Sequence, residues 1–346
     1  TDFAGEYVKE DYLTEAEKET EKNRQQSDRY LSVDERIVIK LKKEGKLLVS
    51  QKYTHNYPHC WRTDKPILYY PLDSWFIKVT SIKNRMVELN LQINWKPEST
   101  GTGRFGNWLE NLQDWNLSRS RYWGIPLPIW RSEDGLHEKC IGSINELRAE
   151  IEKANRTLGI DQKVPEDLHR PYIDDVILVS DVDGKRMQRE SDLIDVWFDS
   201  GAMPYAQWGY CPDADGNKQA LPFGVDQKSK LFPADFIAEG VDQTRGWFYT
   251  LHAIGSLVFD SIAFRNVVSN GLVLDKNGEK MSERKGNVVD PFETIKNHGA
   301  DATRWYMISN ADPWENLKFD LQGITEVRNK FFGTLYNTYS FFAIYA

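Results

Sequence analysis

Between positions 280 and 287 the chain reads Lys280-Met281-Ser282-Glu283-Arg284-Lys285-Gly286-Asn287, with three cations and a serine hydroxyl inside six residues. Cations on a loop of this kind can approach phosphate oxygens, neutralise the charge developing on a departing pyrophosphate, and then withdraw. Upstream, Asn270-Gly271-Leu272-Val273-Leu274 is an apolar, strand-like run, and Asn277-Gly278 is a turn that tolerates positive φ, so the loop should leave a hairpin. Downstream, Asp290 is a candidate N-cap with Pro291 at the first helical position. The loop is therefore expected to be pinned at both ends and free between them. Taken alone, such a run is more often a solvated surface, so other residues must decide.

A second group lies upstream. Glu239 follows an apolar strand and precedes Gly240, which puts its carboxylate at the strand's C-terminal edge, the usual ligand side of an open α/β sheet. Gln243 and Trp247 are four apart on the expected next helix and would share a face, while Asp242 and Arg245 could pair locally. Strand-like runs at 236–238 and 267–269 alternate with helix-like ones at 244–259 and 292–298, the pattern of a parallel α/β sheet.

Composition sets outer limits. With 346 residues the chain can hold two or three domains, and 40% hydrophobic with 28% charged residues is ordinary for a globular protein. The expected location is cytoplasmic, since no run approaches the roughly 20 apolar residues of a membrane span and no signal peptide is visible. Cys60, Cys140 and Cys211 are too few and too scattered for a disulfide framework. A net charge of −8 argues against nonspecific nucleic-acid binding, though basic patches on an acidic body can still hold RNA.

Lys280-Met281-Ser282-Glu283-Arg284 resembles the KMSKS signature of class I aminoacyl-tRNA synthetases, and Gly286-Asn287-Val288-Val289-Asp290-Pro291 continues as those enzymes do. The stretch from Phe232-Pro233-Ala234-Asp235 through Glu239-Gly240-Val241-Asp242-Gln243-Thr244-Arg245-Gly246-Trp247-Phe248 resembles the amino-acid site of the isoleucine-specific members. Asp195-Val196-Trp197-Phe198-Asp199-Ser200-Gly201, Trp115-Asn116-Leu117-Ser118-Arg119-Ser120-Arg121-Tyr122-Trp123-Gly124 and Tyr57-Pro58-His59-Cys60-Trp61-Arg62 are similar to further family segments, in the family's order.

The resemblance implies ATP with Mg2+, L-isoleucine and tRNA(Ile) as partners, no membrane, and a parent that acts as a monomer. It implies that Lys280, Met281, Ser282 and Glu283 lie against ATP, with Lys280 on pyrophosphate oxygens, Ser282 and the loop backbone donating hydrogen bonds, and Met281 near adenine. Glu239, Gln243, Trp247 and Trp197 would contact the aminoacyl-adenylate, Gln243 orienting the amino acid and the two tryptophans walling its side chain. Arg119, Arg121 and Trp123 would either order the core or touch the tRNA acceptor end. Glu283 departs from the pattern, because the signature has lysine there and a carboxylate repels phosphate; Lys285 rather than Arg284 is expected to compensate.

No His-x-Gly-His motif occurs among His55, His59, His137, His169, His252 and His298. With Thr1 at the start and an apolar, aromatic run at 331–346, the chain is expected to be a piece of a longer enzyme and inactive alone. Cys60-Trp61-Arg62-Thr63 lacks the second cysteine that some bacterial members carry, so zinc is not expected and Cys60 is read as a small buried hydrophobe.

The fold expected is α/β, the C-terminal half of a Rossmann-like class I catalytic domain with small insertions. Residues 1–51 would be the tail of an editing insertion and linker, with a capping box at Ser32-Val33-Asp34-Glu35 and a helix stop at Gly45. Residues 52–132 would re-enter the core, 133–191 form a small inserted subdomain, 192–319 the core with the basic loop, and 320–346 the start of a helical anticodon-binding domain. Two rivals stand beside this reading: another class Ia enzyme, chiefly for valine, or a non-catalytic relative that binds tRNA or regulates.

Overall fold

The computed structural model describes residues 3, 13–60, 63–68, 70–207 and 232–346. Trp61, Arg62 and Cys211 lie outside them. The chain divides into two units, Thr1–Asp73 and Ser74–Ala346.

In the first unit two helices, α1 (Glu15–Arg24) and α2 (Val33–Lys43), each begin on a capping box. Ser32 Oγ accepts from the Glu35 N–H as expected, and Gly45, at φ +67°, turns the chain away after α2. Around Cys60 the backbone makes an irregular turn in which Cys60 N–H donates to Lys65 C=O and Asp64 N–H to Cys60 C=O. Cys60 on this turn is half-exposed, which corrects the expectation of a buried hydrophobe.

The second unit opens its main sheet with β1 (Asn94–Lys96). A separate antiparallel sheet follows, with β2 (Ile129–Ser132), β3 (Glu138–Cys140), the covering helix α3 (Ile144–Leu158), β4 (Leu178–Val179) and β5 (Arg186–Arg189), in the order β3-β2-β5-β4. Ser143 caps α3, whose Leu147 and Ile151 bury against Trp130, Leu178 and Met187. Arg189, with a fully buried side chain, is held by Asp174 and donates to the carbonyls of Leu127 and Asp192.

The main sheet resumes after α4 (Val196–Ala206) with β6 (Ala234–Gly240), crosses through α5 (Trp247–Phe259), and returns as β7 (Phe264–Asn270). All three strands are parallel, in the order β6-β7-β1, with Gly240 opposite Asn270 and Val267 opposite Trp95. Helix α5 is apolar nearly all round, so it is buried nearly all round: Phe248 and Trp95 meet edge to face at 5.5 Å over Phe105 and Phe264.

Beyond β7 come β8 (Val273–Leu274), α6 (Pro291–His298), α7 (Ala300–Ser309), β9 (Leu317–Lys318) parallel to β8, and α8 (Leu321–Glu326). These close a third core of Ala302, Tyr306, Leu317, Phe319 and Ile324. After a wide turn at Val327–Phe332, helix α9 (Gly333–Tyr345) follows with none of its residues buried. Among the described residues no helix is long and apolar enough to cross a membrane.

Candidate active site

Both expected groups leave the same edge of the main sheet. Glu239 and Gly240 end β6 directly opposite Ser269 and Asn270, which end β7. The chain after β6 goes to the amino-acid group and the chain after β7 goes to the basic loop.

The first group differs from a simple helical face. Residues Val241–Arg245 form a 3-10 turn, and α5 starts only at Trp247, because Gly246 breaks the helix between them. Gln243 and Trp247 therefore do not stack on one helical face. Instead Gln243 Oε1 accepts the Trp247 N–H at 2.9 Å and serves as a side-chain cap for α5. Trp247 Nε1–H donates to the Ser200 carbonyl on α4 at 2.9 Å. Trp197, also on α4 and 40% exposed, lays its ring edge on Gly246: a Cβ there would meet Trp197 at 3.2 Å and Gln243 Oε1 at 2.6 Å. Trp197, Gln243 and Trp247 thus converge on one glycine.

Buried supports fix this arrangement. Thr244, fully buried, accepts from Arg104 Nε at 2.9 Å and donates to Val241 C=O. Asp195 caps α4 and accepts from Arg119 at 2.8 Å and Trp115 Nε1 at 3.2 Å, so Arg119 orders the core here. The nearby Asp199 carboxyl is pushed up by burial and by the Asp195 charge. The anticipated Asp242–Arg245 pair is absent: the Arg245 guanidinium lies over the Trp108 ring at 5.1 Å, where a delocalised cation gains from the π face, and Asp242 accepts from Gln243. Beside α4, Trp123 stacks on His169 at 5.2 Å and borders a cleft with Arg121 and Asp199.

The second group begins as expected. Leu274 bridges Lys280 across a hairpin whose Gly278 sits at φ +86°, and Asp290 caps α6 through the N–H groups of Phe292 and Glu293. Between those ends the loop is not free. Met281 turns inward with Val289 onto the Tyr306–Phe319 core, while Lys280, Glu283 and Lys285 stay exposed. Ser282 Oγ accepts from Lys285 N–H at 3.3 Å, and Lys285 Nζ pairs with Glu279 at 3.2 Å.

Asn287 spans the loop. Its Oδ1 accepts the Ser282 N–H at 2.9 Å, and its Nδ2 donates to Asp275 at 3.0 Å and to the Lys280 carbonyl at 3.3 Å. The Asn287 amide, with the N–H groups of Glu279 and Asn277, holds the Asp275 carboxyl below its usual range. No structural role was legible for Asn287, Asp275, Gly246 or Ser200 in the chain alone, although three of them stand inside the segments quoted above. Only Asp275 carried a local signal, as an Asx-turn residue before Asn277-Gly278.

Among the described residues no three His, Cys, Asp or Glu side chains gather as a metal site.

The chain belongs to the tRNA synthetases class I (I, L, M and V), whose family model matches residues 8–320. It is 69% identical over 347 residues to the isoleucine-tRNA ligase of Cytophaga hutchinsonii, covering all of this chain and 30% of that relative. The isoleucine-tRNA ligase of Bacteroides thetaiotaomicron is 62% identical over 334 residues, covering 91% of this chain and 28% of its own length. A structure of Mycobacterium tuberculosis methionyl-tRNA synthetase in complex with methionyl-adenylate overlays 79% of this chain and 40% of its own, at 17% identity and a TM-score of 0.47. The chain thus spans about 30% of the length of the curated relatives it matches.

Proposed function

We propose that the full-length protein is an isoleucine-tRNA ligase, which activates L-isoleucine with ATP and passes it to tRNA(Ile). One juxtaposition carries the reading: Trp197 against Gly246 and Trp247 tied to the same helix α4 after β6, and a KMSKS-like loop after the adjacent β7, on one sheet edge. Identity of 69% to an isoleucine-tRNA ligase across the whole chain supports it further.

An isoleucine carboxylate oxygen attacks the α-phosphorus of Mg-ATP in line. The bond to the bridging oxygen breaks and pyrophosphate leaves with its electron pair. A terminal ribose hydroxyl of tRNA then attacks the adenylate carbonyl and gives up its proton, and AMP departs with the electrons of the broken acyl–oxygen bond, its phosphate able to take that proton. Mg2+ enters with ATP as substrate. The chain's residues position these groups and stabilise charge. Lys280 contacts pyrophosphate oxygens, the Ser282 hydroxyl donates to them, and Lys285 supplies the charge that Glu283 does not. Met281 forms the underside of the loop. Glu239 faces the amino or ribose groups of the adenylate, Gln243 orients the amino acid by holding the start of α5, and Trp197 and Trp247 wall an apolar side chain.

On this reading residues 1–51 trail an editing insertion, 133–191 are an inserted subdomain, and 320–346 open the anticodon-binding region. The parent works in the cytoplasm as a monomer, which sedimentation tests. The decisive assay is amino-acid-dependent exchange of pyrophosphate into ATP by the full-length protein, with a panel of amino acids. Exchange driven by isoleucine is expected, and exchange driven only by valine would overturn the substrate assignment. No exchange with any amino acid would favour a non-catalytic relative.

A further inference from the structure

A single side chain closes the basic loop. The Asn287 amide reaches back five residues to the Ser282 N–H, seven to the Lys280 carbonyl, and twelve to the Asp275 carboxylate. Asp275 is itself immobilised, since its Oδ1 accepts the N–H groups of Asn277 at 2.9 Å and Glu279 at 2.8 Å. The chain from Lys280 to Asn287 is therefore tied to the rim of the hairpin, not only to its two ends. Three consequences follow. The backbone on either side of Met281 is fixed. The Ser282 N–H is already used, which leaves the serine hydroxyl as that residue's free donor. The inward Met281 and outward Lys280 are set as a pair.

We propose that Asn287 and Asp275 form a latch that positions Lys280 and Ser282 for adenylate formation, neither latch residue touching substrate. This rests on the functional reading above. It deepens that reading by adding two positioning residues outside the charged signature itself.

The test uses the full-length protein and four forms: wild type, Asn287→Ala, Asn287→Asp, and the double variant Asn287→Asp with Asp275→Asn. Asn287→Asp sets two carboxylates against each other, so its kcat for pyrophosphate exchange should fall roughly tenfold or more at about pH 8, with the KM for isoleucine unchanged. Its rate relative to wild type should recover as the pH is lowered toward about 6, because one of two facing carboxylates has a raised pKa and a shared proton restores the bridge. The double variant reinstates an amide opposite a carboxylate and should return to within about threefold of wild type. A lost fold would not produce that pH recovery or that rescue. Asn287→Asp at the wild-type rate, or a double variant no better than the single, overturns the proposal. Hydrogen exchange supplies an arm independent of activity: the Ser282 amide should be protected in wild type and fast in Asn287→Ala, and equal rates would refute the latch. A wild type without isoleucine-dependent exchange would instead remove the functional reading and the catalytic part of this proposal, while the amide measurement still decides whether the latch exists.

Discussion

The indole N–H of Trp247 donates to the Ser200 carbonyl at 2.9 Å, so the helix that carries Trp197 also sets the angle of the second tryptophan. The two rings are coupled through α4 and through the glycine between them. Any change that rotates one should be felt at the other, while the loop beyond β7 is anchored to a different core.

Trp247→Phe keeps an apolar wall and removes the donor. A net hydrogen bond is worth about 0.5–1.5 kcal/mol, and each ~1.4 kcal/mol is tenfold in rate. In the full-length protein kcat/KM for isoleucine should fall up to about tenfold, with the KM for ATP unchanged. An equal rise in the KM for ATP would show that the ring serves both groups.

Gly246→Ala places a methyl 2.6 Å from Gln243 Oε1 and 3.2 Å from Trp197. Overpacking of this order costs about 1–3 kcal/mol, and here it acts on the cap of α5 and on the Trp197 ring together. The KM for isoleucine should rise by roughly tenfold or more. A variant with wild-type isoleucine kinetics would mean that the two side chains move aside without consequence.

Local signals were legible and long reaches were not. The Ser32 and Asp290 caps, the Gly278 turn and strands β6 and β7 follow from short-range chemistry that a few consecutive residues contain. The helix expected from 244 starts late because apolar periodicity runs through Gly246 while the backbone does not. β1, read as Asn94-Trp95-Lys96, has no apolar run and exists through pairing with Asn266–Val268 across a long chain separation. Arg245 found the Trp108 ring rather than its neighbour Asp242, and Asn287 found partners up to twelve residues away. The site's residue types could be read from the chain, but the bonds that orient them depend on distances only the folded chain sets.

Lys285 is paired with Glu279 at 3.2 Å, both more than half exposed. Such a pair contributes about 0–1 kcal/mol, weak enough for a phosphate to replace the carboxylate. Lys285→Ala should lower isoleucyl-adenylate formation by roughly tenfold or more, whereas Glu279→Gln, which frees the lysine, should leave the rate unchanged or raise it. An undiminished rate in Lys285→Ala would remove this lysine from the phosphate site.

His252 gives α5 an acid-sensitive anchor. Its ring is fully buried against Phe105, its Nε2–H donates to the Met86 carbonyl at 2.9 Å, and its Nδ1 has no partner. Burial pushes its pKa down to about 4, against the small opposing effect of the Met86 bond. Below about pH 6.5 the unfolded chain takes up a proton that the native ring refuses until about pH 4. The unfolded state therefore binds more protons across that window, and stability falls as the pH is lowered through it. The displacement corresponds to roughly 3 kcal/mol in full. His252→Gln keeps a donor for Met86 but has nothing to titrate. In unfolding measurements on the full-length protein, the stability of wild type relative to His252→Gln should decline by about that amount between pH 6.5 and 4, and stay level above pH 7. Parallel curves through the whole range would mean that the buried imidazole takes no part in acid unfolding.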